Sequence, residues 1–143
     1  MTMALNMWAV LAGGVLAMII GALWYSPLLF AKSWQMASGM TEDKIKEAQK
    51  KGMGKTYLAA FLAAIVLSYV LAAAVALAAM AMGVPSTFGL GSQVGAWLWL
   101  GFIAVPFLNM VFWERKSWKL YWINSLNYLI TLVLVGGLLG SWK

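Results

Sequence analysis

Four long apolar stretches fill most of this chain, and they constrain its fold more than any motif it contains. They run over residues 4–25, 57–82, 94–113 and 120–139. Each reaches the roughly 20 residues a helix needs to cross a hydrocarbon core of about 30 Å. Soluble domains are about 45–50% apolar, whereas 64% of this chain is hydrophobic. A globule of 143 residues cannot hide that much apolar surface, so lipid replaces water around much of it. A backbone amide left unpaired in lipid is too costly to tolerate, so each stretch is helical. The predicted fold is all-α: an integral membrane four-helix bundle forming a single transmembrane domain. The first stretch has no basic leader and is too long for a signal-peptide core, so it reads as a retained span.

The ten Lys and Arg residues are distributed unevenly. Lys32, Lys44, Lys46, Lys50, Lys51 and Lys55 lie in the connection over 26–56, and Arg115, Lys116 and Lys119 in the third connection. The second connection, 83–93, is uncharged, and Lys143 follows the fourth stretch. With four crossings the two basic connections share a face, and the positive-inside rule makes that face cytoplasmic with both termini outside. The excess of +6 is thus an orientation signal beside headgroups, not a nucleic-acid patch, since no aromatic-basic interleaving accompanies it. The partners this implies are membrane lipids.

Missing residues narrow the chemistry. The chain has no Cys and no His, which removes disulfides, thiol catalysis, Cys/His metal sites and the usual haem ligation, so no metal or cofactor is expected. No Asp, Glu, Lys, Arg or His falls inside any of the four stretches. Proton-coupled pumps carry an ionisable relay at depth, and general acid–base catalysis needs a group titrating near neutral pH. The sequence therefore points away from proton-driven transport and from an enzyme.

Within the first connection, Thr41 is placed to cap a short amphipathic helix with Glu42 and Asp43 in its first turn. Met40 and Ile45 form a hydrophobic staple around that start, Glu42/Lys46 and Glu47/Lys51 are i,i+4 pairs, and Gly52 ends the helix. Small residues recur four apart in the first stretch (Ala9, Gly13, Ala17, Gly21), the second (Ala60, Ala64, Ser68, Ala72, Ala76) and the fourth (Gly136, Gly140). Such strips let membrane helices approach closely. They serve packing within one bundle, and a strip left over would build a homo-oligomer.

Nine Trp residues fall near the two expected interfaces: Trp8, Trp97, Trp99 and Trp142 outside, and Trp24, Trp34, Trp113, Trp118 and Trp122 inside. Polar residues in the fourth stretch, Asn124, Asn127, Tyr128 and Thr131, follow the i, i+3, i+4, i+7 pattern of one helical face. Asn109 adds an amide to the third stretch, where Pro106 removes a hydrogen bond to the Phe102 carbonyl and predicts a kink. An amide facing lipid is costly, so these side chains face protein or water. They define a candidate pocket open to the cytoplasm, lined by Asn109, Asn124, Asn127 and Tyr128 and rimmed by Trp113, Arg115 and Trp118. Trp24, Tyr25 and Trp34 are placed to cover its mouth.

The block Trp24-Tyr25-Ser26-Pro27-Leu28-Leu29-Phe30-Ala31-Lys32-Ser33-Trp34, with Gly39 following, resembles the signature of a bacterial family of small membrane proteins, domain-of-unknown-function family 1761. The C-terminal part is similar too, in Trp122-Ile123-Asn124, Asn127-Tyr128, Gly136-Gly137 and Leu138-Leu139-Gly140-Ser141-Trp142. Members usually carry Gly where this chain has Ala31. The resemblance implies a four-span layout in a bacterial inner membrane and no particular activity. In physical terms the block is an exit device. Pro27 stops the helix, Ser26 is pushed toward extended backbone, and Leu28 onward skims or re-enters the inner leaflet.

The expected function is non-enzymatic binding of a lipid or small amphipathic ligand in the cytoplasmic half, with movement of that ligand as an extension. The alternative is an accessory or assembly subunit docking on a larger membrane complex.

Overall fold

The computed structural model describes residues 3–142, and all regular structure among them is helical. In chain order the helices are α1 (Met7–Trp24), α2 (Ala31–Ser38), α3 (Glu42–Lys50), α4 (Gly54–Met82), α5 (Phe88–Trp99), α6 (Leu108–Phe112) and α7 (Trp118–Ser141). A π-helical turn, Leu100–Ala104, separates α5 from α6. Four units are long and apolar enough to cross a membrane: α1, α4, the α5–α6 unit over Phe88–Phe112, and α7. The architecture is an all-α bundle of membrane type.

Local chemistry sets the helix starts. Side-chain oxygens of Asn6, Thr41, Thr87 and Ser117 accept from backbone N–H groups in the first turns of α1, α3, α5 and α7. Each such cap is worth about 1 kcal/mol and satisfies a donor the helix leaves open. Gly83 ends α4 with φ +65°, a left-handed geometry that a Cβ disfavours. Thr87 starts the third crossing well before Val94, where hydropathy alone begins it. Trp97 and Trp99 consequently sit near the middle of that crossing and not at its outer end.

α7 is the centre. It packs on α1, α4 and α5, and half of its apolar window is buried, against 11% for the third crossing. Lipid tails are as apolar as Leu, so these contacts form through close fit and hydrogen bonding, without a hydrophobic drive. Three small-residue junctions supply the fit. Gly13 lies against Ser68 and Val135, joining α1, α4 and α7. Gly91 and Gly95 of α5 lie directly on the α7 backbone at Gly136 and Leu132, and Gly140 lies on the Thr87 carbonyl. Ser92 Oγ donates to the Val133 carbonyl at 3.0 Å and Ser86 Oγ to that of Gly140 at 2.9 Å across the same crossing.

The apolar core is Ala9, Val10, Leu71, Ala72, Val75, Leu132, Val135 and Leu139. These come from the first half of α1 and the second halves of α4 and α7, so the tight packing occupies the end away from the basic connections. At the basic end α4 is exposed over residues 54–63 except for half-buried Phe61. Space left there positions the site described next.

The third crossing is disturbed over a wider stretch than a kink at Pro106 alone. Val105 N–H reaches back to the Leu100 carbonyl, and Leu108, Asn109 and Met110 bond three residues back instead of four. The Ala104 carbonyl thereby loses its helical donor, and Tyr121 Oη supplies one at 2.7 Å. Trp99 Nε1 donates to the Ser125 carbonyl at 2.7 Å, pinning the irregular stretch to α7.

A candidate ligand cavity under the linker helices

The connection between α1 and α4 folds back over the bundle as two helices where one was expected. Pro27 carries no N–H and ends α1, and the chain re-enters helix at Ala31, so the segment expected to skim the membrane is α2. Gly39 at φ +74° and Gly52 at φ +86° flank α3 and allow the sharp reversals on either side of it. Thr41 caps α3, with Lys44 N–H donating to its Oγ1 at 3.3 Å. α3 is amphipathic. Ile45 and Ala48 are half-buried, whereas Lys44, Lys46, Lys50 and Lys51 are exposed.

Beneath the two helices lies a cavity of about 710 Å³. Ala31, Trp34 and Gln35 of α2 form one side, and Met40, Ile45, Ala48 and Gln49 roof it. Tyr25 follows from α1, Met53 and Tyr57 belong to the start of α4, Phe107 to the irregular stretch, and Asn124 and Tyr128 to α7. This volume lies within the range of about 300–1,000 Å³ typical of small-molecule sites, which are mostly apolar with a few placed polar groups. The wall fits that description, with five aromatic rings, three side-chain amides and no charged side chain.

Aromatic pairs and one hydrogen bond hold the wall in shape. Tyr25 Oη donates to Asn124 Oδ1 at 2.8 Å, tying α1 to α7 at the cavity edge. Tyr25 meets Trp34 edge-on at 5.9 Å between centroids, and Phe107 meets Tyr128 edge-on at 5.8 Å. Both are favoured geometries for ring quadrupoles. Trp24 stands behind the wall. Its Nε1 donates to the Ile123 carbonyl at 2.8 Å and its ring packs on Phe30 at 4.5 Å.

Of the residues singled out by sequence, Tyr25, Trp34, Asn124 and Tyr128 meet around this cavity, and Trp24 supports it. Asn127 lies one turn further along α7, buried, with Oδ1 lacking a donor among the described residues. Asn109, Trp113, Arg115 and Trp118 are not in the wall, and all four are exposed. Asn109 lies in the short helix α6, beyond the π turn and the tightened turns that follow it, and its side chain is exposed. The roof residues Met40, Ile45, Gln49 and Met53, together with Tyr57 and Phe107, went unread as a site. Their available signal was the apolar face and staple of α3, which reports docking but not what lies underneath.

Among the described residues no group of three or more His, Cys, Asp or Glu is placed to hold a metal ion. The arrangement offers apolar contact, ring stacking and neutral hydrogen bonds.

The family profile described as "Protein of unknown function (DUF1761)" matches residues 8–140, and the chain belongs to that family. No curated protein and no solved structure matches it.

Proposed function

We propose that this member of the DUF1761 family binds a lipid or small amphipathic molecule in the cavity roofed by α2 and α3. One observation carries the reading. The bundle packs its core at the opposite end, so the linker helices and their aromatic floor enclose a space that core packing does not require. A linker meant only to join α1 to α4 needs neither an amphipathic helix turned inward nor a Tyr25–Asn124 bond holding the mouth.

The reading places the basic connections in the cytoplasm of a bacterial inner membrane, both termini outside, and the ligand enters from that side or from the inner leaflet. Support comes from the nine Lys and Arg of the two connections on that face. Because the chain has no Cys, single substitutions report sidedness directly. A maleimide that cannot cross the membrane is expected to label Val84→Cys, exposed in the second connection, in whole cells and Lys46→Cys only after permeabilisation.

Native mass spectrometry from a mild detergent tests the binding. Wild type is expected to carry a non-covalent adduct of lipid mass, and Trp34→Ala to lose most of it. A bare wild type that gains no adduct when membrane lipid extract is added back would refute the proposal.

The third crossing favours a second reading. It is mostly unburied, with Trp97 67% and Phe102 72% exposed near its middle. This face suits docking on a second copy or on a larger membrane complex as well as it suits lipid. Co-migration with a larger species in native gels, abolished by Phe102→Ala, would support that role.

A further inference from the structure

Building on the cavity as a ligand site, we infer that its occupant is an uncharged amphiphile with a flat ring whose polar atoms accept hydrogen bonds, a quinone headgroup being the simplest such chemistry.

The charge pattern is the first ground. The 26–56 connection holds six lysines and three carboxylates, yet none lines the cavity. All six lysines are exposed. A phosphate or carboxylate headgroup inside would shed its water and meet no cation in the wall, an arrangement that desolvation penalises heavily. A cationic headgroup would meet aromatic rings, which attract it. It would also meet no carboxylate in the wall and would sit under a connection in which lysines outnumber acids six to three, so the field opposes it.

The polarity of the hydrogen bonds is the second ground. Tyr25 Oη occupies Asn124 Oδ1, the acceptor side of that amide. Both Nδ2 hydrogens of Asn124 lack a protein acceptor among the described residues, as do the indole N–H of Trp34, a group that only donates, and the Tyr128 hydroxyl. The Gln35 and Gln49 amides of the wall donate and accept alike, so the Asn124, Trp34 and Tyr128 donors are what a neutral acceptor such as a carbonyl or ether oxygen would meet.

Shape is the third. The wall holds two aromatic pairs, Tyr25–Trp34 from the end of α1 and from α2, and Phe107–Tyr128 from the irregular stretch and α7. Such rings offer a flat ring the offset and edge contacts that a bulky tetrahedral headgroup cannot make.

Three short-chain probes in native mass spectrometry or calorimetry separate the outcomes: a ubiquinone analogue with a ten-carbon tail, dioctanoyl phosphatidic acid, and tetraphenylphosphonium. The quinone is expected to bind one per chain and the other two at least tenfold more weakly. Asn124→Leu is expected to weaken quinone binding tenfold or more. Tyr128→Phe, which keeps the ring pair with Phe107, is expected to weaken it several-fold, and Lys46→Gln to leave it unchanged. If phosphatidic acid or the phosphonium binds best and is lost in Asn124→Leu, the cavity is a ligand site but this ligand class is wrong. If quinone binds equally to wild type, Asn124→Leu and Tyr128→Phe, or if no probe binds, the ligand class falls. Only in the second of those cases, with lipid extract also failing to load wild type, does the binding reading fall with it.

Discussion

Gly91 carries the most exacting prediction. A methyl group at this position would run into the Gly136 carbonyl, as one at Gly95 would run into that of Leu132. Backbone stands on both sides, so no rotamer can absorb the overlap and the helices must separate. Overpacking of this kind costs about 1–3 kcal/mol. Separation also stretches the bonds from Ser92 to Val133 and from Ser86 to Gly140, at about 0.6 kcal/mol each for interhelical bonds in a membrane. Gly91→Ala should therefore lose about 2–4 kcal/mol, which at roughly 2–4 °C per kcal/mol for a chain near this length lowers the melting point by several degrees or more. Gly21→Ala is the control, because nothing lies within 4 Å of a Cβ built there. Replacing helical Gly by Ala in open space is neutral or stabilises by about 0.5–1 kcal/mol. Tryptophan-fluorescence melting in dodecyl maltoside compares the two. The close-approach argument is refuted if Gly91→Ala melts with wild type or if Gly21→Ala falls as far. Ligand retention at low temperature should survive in both, since the cavity is at the other end of α7.

Other substitutions probe the site and its supports. Asn124→Leu strands the Tyr25 hydroxyl and should cost about 1–3 kcal/mol, whereas Asn127→Leu removes an oxygen that has no donor among the described residues and should stay within about 1 kcal/mol of wild type. Chemical or thermal unfolding of the pair, side by side, checks the contrast. Trp24→Phe keeps the ring but loses the bond to the Ile123 carbonyl, an expected loss of about 0.6–1.7 kcal/mol in the same melting assay. Arg115 holds φ +58°, a left-handed conformation that costs a residue bearing a Cβ about 1–2 kcal/mol. Arg115→Gly should melt at or slightly above wild type, with the relief partly offset by about 0.4–1 kcal/mol of added unfolded-state freedom, and adduct mass unchanged.

Much of this molecule could be read directly from residue order. An apolar run long enough to cross lipid has to be helical, so the four long apolar helical units followed from composition and length alone, and the cap at Thr41 and the stop at Gly52 followed from backbone chemistry. Family membership was likewise legible in the Trp24–Trp34 block. Those features depend on a residue and its near neighbours. Three others depend on which helix faces which, and hydropathy is silent there because lipid and protein are equally apolar surroundings. The placement of α7 at the centre, the contact of Gly91 and Gly95 with its backbone, and the cavity under α3 are of this kind. The π turn adds a further reason. Pro106 signals a kink but not the π turn over Leu100–Ala104 that precedes it, while Tyr25 and Asn124, 99 positions apart, come into hydrogen-bond contact only because α1 and α7 run antiparallel side by side.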